Sequence, residues 1–398
     1  MERPFTPPTD ASTTVLGTCG ERPYADEGDA DVTMVWGRAE QQDFRSRVRG
    51  CIVGGAVGDA LGAGIEFDSL DRIRAAHGPA GVTDYVTAFG RRGAVTDDTQ
   101  MTMFTVEGLV RAHVRRDTGD WHPPTDVHRA YLRWYATQNH WGPDERTPDS
   151  GWLAREEWLY SRRAPGGACL SGLEDDRMGT LDAPKNPGSK GCGTVMRSAP
   201  FGLLVGWEPA LVFQLASECA VLTHGHPTGR LAAAAFAVIV HGVARGEDLE
   251  TATRGALALV AGHTGHEETT AALEGALAAA RSGPPTAERV ESLGLGWVAE
   301  EALAIGLYCA LVAEDVRHGL LLAVNHSGDS DSTGSVCGNL LGALHGETAL
   351  PPAWVAELEG RGALLQLADD FAMEMTQGGE LHGPGAVSDA WTARYPRS

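Results

Sequence analysis

Positive charge is what this 398-residue chain has least of: 32 Lys and Arg stand against 53 Asp and Glu, a formal charge of −21. So acidic a protein repels a phosphate backbone, which excludes a general nucleic-acid-binding surface while leaving room for a nucleic-acid substrate held at one site. Aromatic residues are scarce at 7%, whereas Ala, Leu and Gly are abundant within a hydrophobic share of 42%. That balance favours closely packed helices over a β-sandwich. The seven cysteines, at 19, 51, 169, 192, 219, 309 and 337, contain no CxxC pair and are odd in number. Reduced thiols in a cytoplasmic protein are the simplest account. No run approaches the ~18 apolar residues of a membrane span, so no membrane partner is expected. The first thirty residues have neither a basic start nor an apolar stretch, and no signal peptide is expected there. No fixed-period repeat is found.

What is present reads as one large core with two appendages, because no obvious linker divides the middle of the chain. Residues 1–45 mix Pro, Thr, Gly and acidic residues without periodicity, as a mobile or loosely docked extension would, with Trp36 its one large anchor. The core spans 46–346, and 347–398 form a C-terminal extension packing on it. Within the core the spacing predicts helices over 47–66, through 101–112 after the pair Asp97-Asp98, from 126, over 152–163, 209–222, 228–245, 249–261, 267–281 and 298–325, and again from 334. The glycines at 54, 55, 58, 62 and 64 each cost a helix roughly 1 kcal/mol against Ala, so close packing or a ligand is expected to compensate.

Two acidic clusters stand out against this frame. Gly328-Asp-Ser-Asp-Ser-Thr places Asp329 and Asp331 two residues apart with Ser332 and Thr333 behind them, an all-oxygen set suited to a hard cation and not to zinc. The same residues are good helix caps, so capping alone is the competing account. An EF-hand is disfavoured because its twelfth loop position is Leu340. Thr96-Asp97-Asp98 forms the second cluster at the start of another helix, and the two together supply four carboxylates and two hydroxyls, a shell for two divalent cations. Asp59, inside an apolar run, reads as a paired structural carboxylate. Glu66, where the glycine-rich helix ends, is where a functional carboxylate is expected. The Gly/Pro-rich passage 164–202 contains Ser189-Lys-Gly-Cys-Gly, whose glycines would admit a phosphate, with Lys190 and Arg197 as charge partners. In Thr223-His-Gly-His the spacing suggests zinc, but no Cys or third His accompanies it. His224 is left as a substrate contact and His226 as a helix-start residue.

With Glu66, Thr96-Asp97-Asp98, the 189–193 loop with Met196-Arg197, Thr223-His224 and Gly328-Asp329-Ser330-Asp331-Ser332 in this order, residues 46–346 resemble the ADP-ribosylglycohydrolase family. The resemblance implies an all-α, compact orthogonal helical fold with a central dinuclear metal cleft. It implies two divalent cations, Mg²⁺ or Mn²⁺, held by Thr96, Asp97 and Asp98 on one side and Asp329, Asp331 and Ser332 on the other. Glu66 matches a glutamate that several members place near the scissile bond. Ser189, Lys190, Gly191 and Cys192 fall where the family's loop cradles the diphosphate and distal ribose, and His224 matches a substrate-contacting histidine. The chain departs from the pattern at Ser332, where Thr is frequent, and at Cys192, where some members carry Asn.

The reaction so implied is hydrolysis at ribose C1 of an ADP-ribosylated substrate, with ADP-ribose as product. Arginine is the first choice of acceptor, with serine, nucleic acid and small molecules as the others. A two-metal hydrolase of the phosphoanhydride of ADP-ribose-like nucleotides, or an ADP-ribose-binding protein without turnover, would use the same acidic set.

Overall fold

The computed structural model describes residues 36–397 except 117, 120, 144–150, 383 and 384. The expectation of a mobile extension therefore lies largely outside the described residues. Every regular element among them is a helix, with isolated β-bridges only between Ala88 and Arg91 and between Gly191 and Val298.

Two helices form the axis of the molecule, Arg38–Gly62 and Ser330–His345. Glycines recur every fourth residue along one face of the first helix, at 50, 54, 58 and 62, and face Gly342, Gly338, Gly334 and the Ser330–Asp331 peptide in turn. The pairing is antiparallel, backbone against backbone. A methyl group on Gly54 would sit 2.5 Å from the Gly338 carbonyl oxygen, so only glycine permits this approach. The helix penalty of those glycines is offset by contact along the whole shared length.

The remaining helices wrap this pair. Asp97–Arg116 packs on Pro123–Asn139, and Pro227–Ala244 packs between Pro209–Ala220 and Leu249–Val260. Pro227–Ala244 is long and apolar enough to cross a bilayer, contrary to the expectation from the sequence, yet 89% of it is buried among its neighbours as a core helix. The first helix begins at Arg38, well before the expected start, because Glu40, Gln41 and Gln42 are good helix formers that show no apolar period. Phe44 is buried there and Trp36 packs on it at 5.1 Å. At the other end, Arg361–Leu381 docks on the first helix through fully buried Leu364, Leu367 and Phe371. Asp369 accepts from both Arg45 (2.7 Å) and Arg49 (2.6 Å), so this part of the C-terminal segment is integral to the core.

Two predicted helices differ. The 152–163 run holds only the short turns Leu153–Arg155 and Glu157–Leu159, interrupted at Glu156 where ψ is 103°. The 298–325 run is split into Ala299–Leu311 and Val316–Val324, because Asp315 caps the second piece by accepting the His318 N–H at 2.7 Å.

Candidate functional site

The glycine-mediated contact has a direct chemical result: it brings the N-terminus of Ser330–His345 to the C-terminal end of the first helix, where Asp59 and Glu66 lie. Asp59 is fully buried. Its carboxylate accepts the Thr96 N–H (3.1 and 3.0 Å), the Thr99 N–H (3.2 Å) and the Thr99 hydroxyl. It thus caps the Asp97–Arg116 helix from a neighbouring helix and fixes the backbone of Thr96-Asp97-Asp98. The Asp97 N–H donates to the Arg163 carbonyl at 3.0 Å, and its Oδ2 accepts the Gly166 N–H at 3.2 Å.

On the opposite side, Asp329 caps its own helix, its Oδ1 accepting the Ser332 N–H at 3.3 Å while Oδ2 accepts the Cys192 thiol at 2.8 Å. Gly328, at φ +116°, makes the turn into this cap beneath the Leu295 carbonyl, a conformation suited to glycine. The Asp329 N–H closes the turn on the Leu295 oxygen at 2.8 Å. The capping account of the acidic motif is therefore correct as far as it goes, and it leaves the carboxylates facing one another. Carboxylate oxygens of Glu66, Asp329 and Asp331 all lie within 4.8 Å of one another, each residue buried. Asp97 and Asp98 line the same cleft as Glu66, Asp329, Asp331 and Ser332, so the two clusters meet there.

Crowding on this scale perturbs every acid in the group. Burial, then the charges of Asp331, Asp329, Asp97 and Asp59, push Glu66 up to about 10. Burial and Asp331 raise Asp59 to about 7. Asp97, Asp98 and Asp329 are held well above the carboxylate range, burial first and Asp331 next, and burial raises Asp331 too. Protons thus neutralise a cluster that a cation would otherwise neutralise. A hard divalent ion fits the donors present. They are carboxylates with the Ser332 hydroxyl, and Thr96 is buried next to Asp97; among the described residues no Lys or Arg lines the cleft, and buried Asp98 Oδ2 has no hydrogen-bond partner.

The cleft above these acids has a volume of about 360 Å³. Ser189, Gly191, Cys192, Gly193 and His224 line one wall and Gly166 to Cys169 another. The loop is pinned by the Cys192 N–H on the Trp297 carbonyl (3.2 Å) and the Ala299 N–H on the Lys190 carbonyl (2.9 Å). Phe67 and Trp297 stack at 5.5 Å on the rim, 71% and 38% exposed. A larger hollow of about 520 Å³, by Trp36, Phe44 and Val205, has among the described residues Glu40 and Asp43 beside Arg47 and Arg245 as its charged lining.

Two residues read as phosphate partners lie elsewhere. The Lys190 ammonium is neutralised by Glu300 (2.5 Å) and Glu268 (2.8 Å) and does not line the cleft; only its backbone serves the loop. Arg197 is buried behind the wall on Thr223. His226 caps Pro227–Ala244 through the Thr228 N–H at 3.2 Å, as its position suggests. Sequence reasoning did not assign the Phe67–Trp297 stack or the cleft roles of Cys169 and Met196. The position of Phe67 directly after Glu66 is the one signal that could have pointed to it, whereas nothing in the spacing distinguishes Trp297.

Known proteins resemble this chain in sequence and in fold. The sequence model of the ADP-ribosylglycohydrolase family matches residues 40–380. The ADP-ribosyl-[dinitrogen reductase] glycohydrolase of Rhodospirillum rubrum is 26% identical over 319 residues, covering 79% of this chain and 90% of its own. An ADP-ribosylarginine hydrolase of Pseudomonas putida (strain GB-1) is 24% identical over 345 residues, covering 84% of this chain and 80% of its own. Among solved structures, an ADP-ribosylglycohydrolase-related protein complex aligns with a TM-score of 0.57 at 26% identity, covering 84% of this chain and all of that one.

Proposed function

Because this chain belongs to the ADP-ribosylglycohydrolase family, we propose that its acidic cleft hydrolyses the glycosidic bond at ribose C1 of an ADP-ribosylated target and releases ADP-ribose. The observation that carries the reading is the convergence of Thr96-Asp97-Asp98 with Asp329-Asp331 beside Glu66, across more than two hundred residues of sequence. Asp97, Asp98 and Thr96 would hold one side of a pair of divalent cations, Mg²⁺ or Mn²⁺, and Asp329, Asp331 and Ser332 the other. Bound there, the cations would supply Lewis acidity toward ribose hydroxyls and water.

The chain's own residues perform the proton transfers. Glu66, where burial is the first cause favouring the protonated carboxyl, donates to the departing acceptor atom as the C1 bond breaks and its electron pair leaves with that atom. The resulting carboxylate takes the proton of the water whose oxygen bonds to C1, which restores Glu66 and completes ADP-ribose. Ser189, Gly191 and Cys192, with the loop backbone leading into the short turn Cys192–Thr194, receive the diphosphate and distal ribose, and among the described residues no lining cation competes with the metals.

Arginine is the favoured acceptor, in keeping with the ADP-ribosylarginine hydrolase among the relatives. The test is incubation with Mg²⁺ or Mn²⁺ and a panel of defined arginine-, serine- and nucleic-acid-linked ADP-ribose substrates, followed by mass spectrometry. Intact ADP-ribose is expected. AMP with ribose phosphate would replace this reading with phosphoanhydride hydrolysis, and binding without product would make the protein a sensor.

A further inference from the structure

Behind the cleft wall sits a cation that the reaction above does not use. Arg197 is 1% exposed, its guanidinium lies 4.5 Å from the centre of the Tyr131 ring, and its polar neighbours are the Met101 and Cys169 sulfurs (3.4 and 3.5 Å) and the Thr223 hydroxyl (2.6 Å). None of these is a carboxylate, and burying a charge without one is costly unless the charge has work to do. The Thr223 hydroxyl is also 2.8 Å from His224 Nδ1. A guanidinium can only donate, so Thr223 Oγ1 accepts from Arg197. The hydroxyl proton then has one acceptor within reach among the described contacts, His224 Nδ1, which leaves the ring's own proton on Nε2. That nitrogen is at the cleft wall, 3.3 Å from where a methyl group on Gly191 or on Gly193 would stand.

We propose that Arg197 is a positioning residue that, through Thr223, locks His224 in the Nε2–H form, so that the histidine offers the ligand a fixed N–H donor and transfers no proton. The oxygen it would meet is a hydroxyl or phosphate oxygen of the bound nucleotide, a choice that rests on the function proposed above. Burial and the Arg197 charge lower the imidazole to about 3, in keeping with a ring that stays neutral. A charged imidazolium would carry a second donor at Nδ1 and leave the Thr223 hydroxyl proton without its acceptor.

The test is long-range ¹H–¹⁵N NMR of the full-length protein without ligand, with the His224 signal assigned from the His224→Gln spectrum. The wild type is expected to show bare Nδ1 and protonated Nε2 throughout pH 5 to 8. Thr223→Val should give a mixture of tautomers and weaken ADP-ribose binding, measured by calorimetry, by roughly 5- to 10-fold, the loss of one well-aligned hydrogen bond. Thr223→Ser should restore both readouts, and Arg197→Gln should move the nitrogen resonances in the same direction as Thr223→Val. A wild-type proton on Nδ1, or a Thr223→Val tautomer identical to the wild type, overturns the inference. The tautomer is read without nucleotide, so failure of the wild type to bind ADP-ribose would sink the function proposed above while leaving this inference to the NMR result.

Discussion

One substitution made at two places should have opposite signs. Gly54→Ala puts a methyl group 2.5 Å from the Gly338 carbonyl oxygen, where ordinary contact begins near 3.4 Å. The atom it meets is backbone of the partner helix and cannot swing aside, so the two axial helices must part by about 0.9 Å. Overpacking of this kind costs about 1–3 kcal/mol, and the gap opened along the glycine face forfeits part of its dispersion energy. Against this, Ala gains up to about 1 kcal/mol of helix propensity, which leaves up to about 2 kcal/mol of net loss from overpacking, and the forfeited dispersion energy adds to it. Gly255, in Leu249–Val260, is exposed with nothing within 4 Å of an added methyl. Gly255→Ala should therefore stabilise by about 0.5–1 kcal/mol through propensity alone. For a chain of 398 residues, an unfolding entropy of about 2.1 cal/mol/K per residue turns 1 kcal/mol into only about 1 °C. Guanidinium denaturation monitored by circular dichroism is the sharper assay, with the two variants displaced to either side of the wild type. If Gly54→Ala unfolds at the same denaturant concentration as Gly255→Ala, the account of why glycine stands at every fourth position is wrong.

The crowded acids govern how stability and cation binding depend on pH. In the cation-free protein, Glu66 has a folded-state value of about 10 against 4.5 unfolded, so the folded state binds the extra proton and stability should fall as pH rises through that window. Mg²⁺ or Mn²⁺ at about 100 times its dissociation constant should add about 2.7 kcal/mol, release protons on binding and bind more tightly at higher pH. Calorimetry in buffers of different ionisation heat checks the proton release, and cation binding without it would contradict these shifts. Glu66→Gln mimics the protonated carboxyl; it should leave the cation-free fold as stable or more so at pH 8, with a weaker pH dependence of Tm. The same variant should lower turnover by about 10²–10⁴-fold, as loss of an acid–base group does.

Much of this architecture is legible in local signals. The acidic motifs stand at helix starts because Asp and Ser cap helices, and the small-residue period of the first helix announces a close partner. What the chain order conceals is which partner. Gly54 meets Gly338 through contacts nearly three hundred residues apart, and no local pattern states that pairing. Asp59 is readable as a structural carboxylate, but its partners among the described residues turn out to be the N–H groups of Thr96 and Thr99 and the Thr99 hydroxyl. Lys190 misleads for a related reason: its loop suits a phosphate, yet Glu268 and Glu300 arrive from distant helices to take the ammonium. The 152–163 run has helical spacing without a helix because its aromatics are placed by tertiary packing, with Trp158 against Gly360.

The claim on which the rest depends is that both acidic clusters serve one reaction, and parallel assay of Asp97→Asn and Asp331→Asn measures it. Each variant, folded by circular dichroism and supplied with saturating Mg²⁺ or Mn²⁺, is predicted to release no ADP-ribose from a substrate that the wild type cleaves. Full activity in either would contradict the account.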